Sequence, residues 1–282
     1  MESMNLILHG KELSEETLEK FVMVANANAF ERIGEQAYRL RGAKNSPEIP
    51  ILCAESGIDF AQVDESLKLS DFGLVVMDMD STLITIECID EIADMLGIKP
   101  AVAAITESAM RGEIDFSESL KRRVGLLEGL EESALARVYE ERLRLSPGAE
   151  KMLDALKANG VKTLLVSGGF TFFTDRLKGR LGLDYTASNT LEIIDGKLTG
   201  KVLGKIVDAQ GKADWLNSVR EKLALSREAV IAIGDGANDL KMLHEAGISI
   251  AYHAKPVVRE KATYAFNHVG LDGLLNLFGA DV

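Results

Sequence analysis

Residues 73–82 read GLVVMDMDST. A glycine, a short apolar run and then a carboxylate suit a strand buried on both faces that ends at a site. Similar runs are KTLLVS at 162–167, VIAIGD at 230–235 and ISIAY at 248–252, each bounded by glycine or polar residues. Stretches with helical spacing lie between them, as in KMLDALKANG and DLKMLHEAG. This alternation predicts an α/β fold with a parallel sheet wrapped by helices. Sites in such sheets lie at the carboxyl ends of the strands. Three of the runs end in Asp78, Ser167 and Asp235, so three chemically active groups are expected to converge.

Outward from this core, segment 86–145 separates the first two strands. It has helix-like periodicity and is too long for a simple crossover, so it is expected to be an inserted helical cap. LEIIDGKLTGKV at 191–202 predicts a hairpin turning at Asp195-Gly196, a pair suited to a type I′ turn. The first 70 residues form a separate small α+β pattern. NLILHG is expected as a strand, then SEETLEKFVMVANA as a helix capped by Ser14, with Glu15 and Glu16 in its first turn. Strand QAYRLRGA, short helix IPILCAESG and strand IDFAQVD follow. The division expected is therefore 1–70 for the small unit, 71–85 with 146–282 for the core, and 86–145 for the cap.

With 32 Lys plus Arg against 44 Asp plus Glu, the net charge is −12. That balance disfavours nucleic acid and anionic membranes as partners. It also repels phosphorylated small molecules, so a phosphate site would need local cations or a metal. No apolar run is long enough to span a membrane, and MESMNLILHG lacks the basic start and long apolar core of a signal peptide. Cys53 and Cys88 are too few and too far apart for a metal knuckle or disulfide framework. A cytoplasmic protein with reduced thiols is expected. His9, His244, His253 and His268 show no metal-ligand spacing and are expected to be structural.

Four segments carry chemistry. In DMDST, 78–82, Asp78 and Asp80 share one side of an extended chain. Two carboxylates that close repel unless a cation or shared proton offsets them, and Mg²⁺ is the natural hard cation beside phosphate. Taken alone, the same letters describe a solvated Asp-rich loop. SGGF, 167–170, puts a hydroxyl and two glycines at a strand end, where backbone N–H groups such as that of Gly168 can approach an anion. It could equally be an ordinary strand-to-helix turn. Lys212 in DAQGKADWL has nothing local to set it apart from a surface lysine, and the flanking glycines of a P-loop are absent. GDGANDLKM, 234–242, offers Asp235 as a metal carboxylate and Asp239 as either a helix cap or a group orienting its neighbours. Its acids, glycines and Asn238 make little sense as core.

Taken together and in this order, these segments resemble the haloacid dehalogenase-like (HAD) phosphatase superfamily. Its pattern is DxDx[ST], a strand-end Ser or Thr, a Lys, then GDxxxD. Here the pattern falls on Asp78/Asp80/Thr82, Ser167, Lys212 and Asp235/Asp239. The resemblance covers about 71–282 and implies a Rossmann-like, HAD-like core. VMDMDSTLITIECIDEIA, MRGEIDFSESLKRRV, VSGGFTFF, DGKLTG, GDGANDLKML and IAYHAKP are similar to segments of the phosphoserine phosphatases within it. That likeness implies hydrolysis of O-phospho-L-serine, the last step of serine biosynthesis. It implies Asp78 as nucleophile, Asp80 as acid and base, and Mg²⁺ held by Asp78, Asp235 and the backbone carbonyl of Asp80. It implies phosphate contacts from Ser167, Gly168, Lys212 and Asn238. In the cap it assigns the substrate ammonium to Glu87, the carboxylate to Arg123 and apolar contacts to Met110 and Phe116. Read without it, these four are surface charge and ordinary packing. Two other readings stay open: a HAD phosphatase or phosphotransferase acting on another small phosphomonoester, and a non-catalytic amino-acid-binding regulatory protein. Residues 1–70 resemble ACT-like domains, which bind amino acids or mediate dimerisation, so a homodimer is compatible with the sequence.

Overall fold

A computed structural model describes residues 4–278. The chain begins with β1 (Met4–His9), α1 (Glu15–Val24), β2 (Ala29–Gly34), β3 (Ala37–Arg41), α2 (Glu48–Ser56) and β4 (Asp59–Asp64). These strands form an antiparallel sheet in the order β2-β3-β1-β4, a split β-α-β pattern. Ser14 caps α1 by accepting from the Thr17 N–H. Leu6, Leu8, Leu40, Leu18, Phe21, Ile49 and Cys53 fill one face of this sheet beneath the two helices. Strand β2 is the element the sequence does not announce. AFERIG is an edge strand with mostly exposed side chains and no buried stripe.

The second sheet begins with β5 (Leu74–Met77), the run that opens the core. Four helices follow, α3 (Cys88–Met95), α4 (Lys99–Met110), α5 (Phe116–Gly125) and α6 (Ser133–Arg137). The chain then forms α7 (Ala149–Ala158), β6 (Lys162–Phe170), α8 (Thr171–Leu181), β7 (Tyr185–Ile194) and β8 (Lys197–Leu203). It ends with α9 (Ala209–Lys222), β9 (Val230–Gly234), α10 (Leu240–His244), β10 (Ile248–Tyr252), α11 (Pro256–Arg259) and β11 (Tyr264–Phe266). Strand order is β11-β10-β9-β5-β6-β7-β8. Every pairing in it is parallel except β7 with β8. The predicted hairpin turns where expected: Asp195 and Gly196 both have positive φ, 51° and 75°, as a type I′ turn needs. Strand β7 starts earlier than the hairpin pattern predicts. Tyr185–Ala187 first pair with β6, in a stretch whose Thr, Ser and Asn residues hide its strand character.

Alternation along the strands supplies both faces of this sheet with core. Val75 and Met77 join Leu165, Ile231 and Ile250 on one side. Leu74 and Val76 join Leu164, Val230 and Met242 on the other. Ile7, Ala61 and Val63 from the small sheet belong to the first of these clusters, with Leu271, Leu274 and Phe278. The Asp59 carboxylate accepts from the N–H groups of Asn267 (2.8 Å) and His268 (2.7 Å), and the Tyr264 hydroxyl donates to the Gln62 carbonyl. The chain enters and leaves the four-helix segment through one narrow neck. There Ile84 bridges Leu145, and the N–H of Thr85 donates to the carbonyl of Arg144.

Candidate active site

Strands β9, β5 and β6 are neighbours, so their carboxyl ends lie side by side. This juxtaposes Asp78, Asp235 and Ser167. After β5 the chain makes one π-type turn over Met79–Leu83. The N–H of Leu83 reaches back to the carbonyl of Asp78 and that of Ile84 to Met79. Within this turn Ser81 has φ +57°, a left-handed conformation uncommon for a side-chain-bearing residue. Its hydroxyl donates to Glu87 Oε1 at 2.7 Å.

Asp78 is buried, and its Oδ1 accepts from the Met79 N–H and from Lys212 Nζ, each at 2.7 Å. Lys212 is 1% exposed and also donates to Asp239 Oδ1 at 2.7 Å. The lysine that looked unremarkable in sequence is thus a wholly buried cation shared by two carboxylates. Burial lowers the pKa of an ammonium, but Asp239 and Asp78 outweigh it and hold Lys212 above its ordinary value. Asp239 has two tasks. Its Oδ1 holds Lys212, and its Oδ2 accepts from the N–H groups of Asp235 and Gly236. Of the two roles weighed for it, its side chain performs the orienting one; as the N-cap of α10 it makes no side-chain capping bond. Gly234 makes room for it, because a Cβ there would lie 2.6 Å from Asp239 Cγ.

Oxygens of Asp78, Asp235 and Asp239 lie within 4.8 Å of one another. Three carboxylates face one ammonium, so the cluster is short of positive charge. The strain appears in its proton affinities. Asp78 is pushed well above the carboxylate range, chiefly by burial and then by Asp239. Asp235 is pushed up to about 6 by the same two causes, while the Thr82 hydroxyl, donating at 3.1 Å, pulls the other way. A hard divalent cation with oxygen ligands fits this donor set and this charge deficit. Asp239 is the third carboxylate of this cluster; the sequence reading gave Asp80 a place at the metal only through its backbone carbonyl. The Asp80 carboxylate instead accepts from the Cys88 N–H (2.9 Å) and the Ser167 hydroxyl (3.4 Å). Burial raises its pKa, which suits a group that carries a proton. Gly169 permits this approach, since a Cβ there would sit 2.8 Å from Asp80 Oδ2.

The helical segment contributes less uniformly. The Phe116 ring lies over the β6 end, with its Cζ 2.9 Å from where a Gly168 Cβ would be. Glu87 is exposed as a residue, yet desolvation of its carboxyl group and then the nearby Asp80 charge raise it to about 7, against the pull of the Ser81 hydroxyl. Arg123 is half-buried, and its guanidinium Nε donates to the Ser119 carbonyl at 3.4 Å. Burial lowers its pKa, opposed by the charges of Asp90, Glu87 and Asp80. Met110 is the exception. It is 70% exposed at the end of α4 and takes no part in the hydrophobic cluster that Phe116 joins. Asn238 is half-buried beside Asp239. Two residues that sequence reasoning passed over, Ser81 and Asn189, hold site groups by hydrogen bonds. Both are common polar residues that only their partners make visible.

A family model for haloacid dehalogenase-like hydrolases matches residues 75–244. A phosphoserine phosphatase of Polaromonas sp. is 57% identical over 216 residues, 75% of this chain and 92% of that protein. The crystal structure of a HAD family hydrolase from Salmonella enterica serovar Typhi superposes with TM-score 0.89 at 38% identity, covering 99% of both chains. That of a probable phosphoserine phosphatase from Vibrio cholerae gives 0.86 at 40% identity, over 97% of this chain and 85% of that one. The family model spans more than half of the chain, on the strands whose ends meet at Asp78. The chain therefore belongs to the haloacid dehalogenase-like hydrolases.

Proposed function

We propose that the chain hydrolyses O-phospho-L-serine to L-serine and phosphate through an aspartyl-phosphate on Asp78. The observation that carries this reading is the arrangement at the β5 end. Asp78 has one oxygen fixed by Lys212 and the Met79 N–H, and a second carboxylate, Asp80, of raised proton affinity follows two residues later. The names of the relatives supply the substrate.

Asp78 Oδ2 attacks phosphorus in line; the new P–O bond forms as the bond to the seryl oxygen breaks. Asp80 gives its proton to that leaving oxygen, then accepts one from the water that cleaves the aspartyl-phosphate. Such acid–base help is worth about 10²–10⁴-fold. Lys212, the Ser167 hydroxyl and the Gly168 N–H hold the phosphoryl oxygens, and phosphoryl transfer depends mostly on such positioning and charge. Asp78, Asp235 and the backbone carbonyl of Asp80 would hold Mg²⁺, which when bound neutralises charge on the phosphoryl group and these carboxylates. Asn238 stands beside this cluster as a further polar contact. The helical segment 86–145 closes over the site and excludes water. Glu87 receives the substrate ammonium and Arg123 grips its carboxylate, with Phe116 as an apolar wall.

Initial rates of phosphate release test this directly, using O-phospho-L-serine beside a panel of phosphorylated sugars and amino acids, with Mg²⁺ and with EDTA. A Mg²⁺-dependent rate highest on phosphoserine is expected. Comparable rates across the panel would leave the phosphatase chemistry and remove the substrate. Full activity in EDTA would remove the metal.

A further inference from the structure

We infer that Asn189 is a positioning residue for phosphoryl transfer, holding the β6-end loop and the Lys212 helix in register. It rests on the phosphatase reading of the site but not on the identity of the ester. Asn189 is 1% exposed, in β7, opposite Phe170 in the ladder. The β6–β7 register shifts between Val166 and Phe170, so Ser167, Gly168 and Gly169 leave the regular pairing. A loop freed from its ladder needs another anchor. The Asn189 side chain supplies it, its Nδ2 donating to the Gly168 carbonyl at 2.8 Å. Its Oδ1 accepts from the Val207 N–H, also at 2.8 Å. A carbonyl on one side and an N–H on the other leave only one orientation of the amide that satisfies both.

Both bonds lead to the reaction centre. The peptide joining Gly168 and Gly169 is planar, so fixing the Gly168 carbonyl fixes the direction of the Gly169 N–H. That N–H donates to Ser167 Oγ at 2.8 Å, and the hydroxyl in turn donates to Asp80 Oδ2. On the other side, Val207 precedes Asp208, the N-cap of α9, whose carboxylate accepts from the Gly211 N–H and whose carbonyl accepts from the Lys212 N–H. Lys212 lies in that first turn. One buried amide therefore sets Ser167 with Asp80 on one side and the base of Lys212 on the other. Asn189 touches none of the reacting atoms. Its contribution is alignment, which matters most in the transition state, where small misplacements are costly.

The test compares Asn189→Ala and Asn189→Asp with the wild type, in Mg²⁺, on whichever phosphomonoester the wild type turns over fastest. That choice keeps a failed substrate assignment separate from a failed role for Asn189. For Asn189→Ala, kcat is expected to fall about 10–100-fold, with KM within about threefold. The inhibition constant of vanadate, which mimics the five-coordinate phosphorus, should rise in step with the kcat loss, while that of inorganic phosphate moves little. In Asn189→Asp the introduced carboxyl can donate to the Gly168 carbonyl only when protonated. The ratio of variant to wild-type kcat should therefore recover as pH falls. A kcat for Asn189→Ala within twofold of wild type, or one that falls only with the folded fraction measured by circular dichroism, would overturn the inference. Should the alanine variant fail to fold, the aspartate variant decides, and a pH-independent ratio would overturn it.

Discussion

The strand-end cluster and the helical segment above it are built on different terms. At the strand ends every charged side chain already has a hydrogen-bond partner, although the carboxylates outnumber their one cation. Lys212 and Asp239 are buried and bonded to each other, Asp78 is tied to both the lysine and the backbone, and Asp235 is held by Thr82. In the helical segment Glu87 has one hydroxyl partner, Arg123 one backbone carbonyl, and Met110 none of the surrounding core. The difference teaches how the labour is divided. Chemistry that needs aligned charge rests on a rigid parallel sheet. The groups proposed for recognition keep unspent hydrogen-bonding capacity. Their segment meets the sheet at the Ile84–Leu145 neck and again at the β7–β8 hairpin, where the N–H of Gly129 donates to the Leu198 carbonyl and that of Glu132 to the Gly196 carbonyl.

The sharpest way to break this contrast is Asp78→Asn. It keeps the shape and removes the nucleophile, and kcat for phosphate release is expected to fall at least about 10⁴-fold. Residual turnover near the wild-type rate in a purified sample would displace Asp78. Next comes Lys212→Met, which leaves Asp78 and Asp239 buried without their cation. Loss of one partner from such a network costs about 3–5 kcal/mol, so urea denaturation should show a large drop in stability, together with about 10²–10³-fold lower kcat. A stable Lys212→Met protein would mean that the cluster is wetter than its geometry indicates.

Arg123→Ala tests the other region. Its effect should fall on KM for phosphoserine, about 10–100-fold, with kcat changed only a few-fold. A fall in kcat alone would place Arg123 with the machinery below. The smallest effect concerns pH. Metal-free protein holds Asp235 at about 6 and Glu87 at about 7, both above their unfolded values. The folded state therefore binds more protons than the unfolded state between roughly pH 4 and 7, and stability falls as pH rises through that window. Tm in EDTA should decline by a few degrees from pH 5 to 8, and added Mg²⁺ should restore more of it at pH 8 than at pH 5. A flat Tm profile in EDTA would contradict the buried charge deficit.

Much of this was legible along the chain because it is written in local pattern. Apolar runs ending in Asp78, Ser167 and Asp235, the Asp-Gly turn and the Ser14 cap each depend on residues a few positions apart, which the backbone period alone makes neighbours. Glu87, Met110, Phe116 and Arg123 were reached only through family likeness, since a charged or apolar side chain on an exposed helix carries no local mark of its role. Of these, Phe116 lies against Gly168 and Met110 points outward.

By itself, then, the sequence determined an α/β sheet with acids at its strand ends and a helical insertion between its first two strands. Only the tertiary structure decided that Lys212 is a buried cation, because both its partners come from other elements, Asp239 27 positions further on and Asp78 on β5. Only it decided that Asp239, and not the Asp80 carboxylate, completes the acidic trio, and that Asn189 spans two loops. Periodicity encodes which way a side chain points within its own element. What it meets there depends on the order in which distant strands pair.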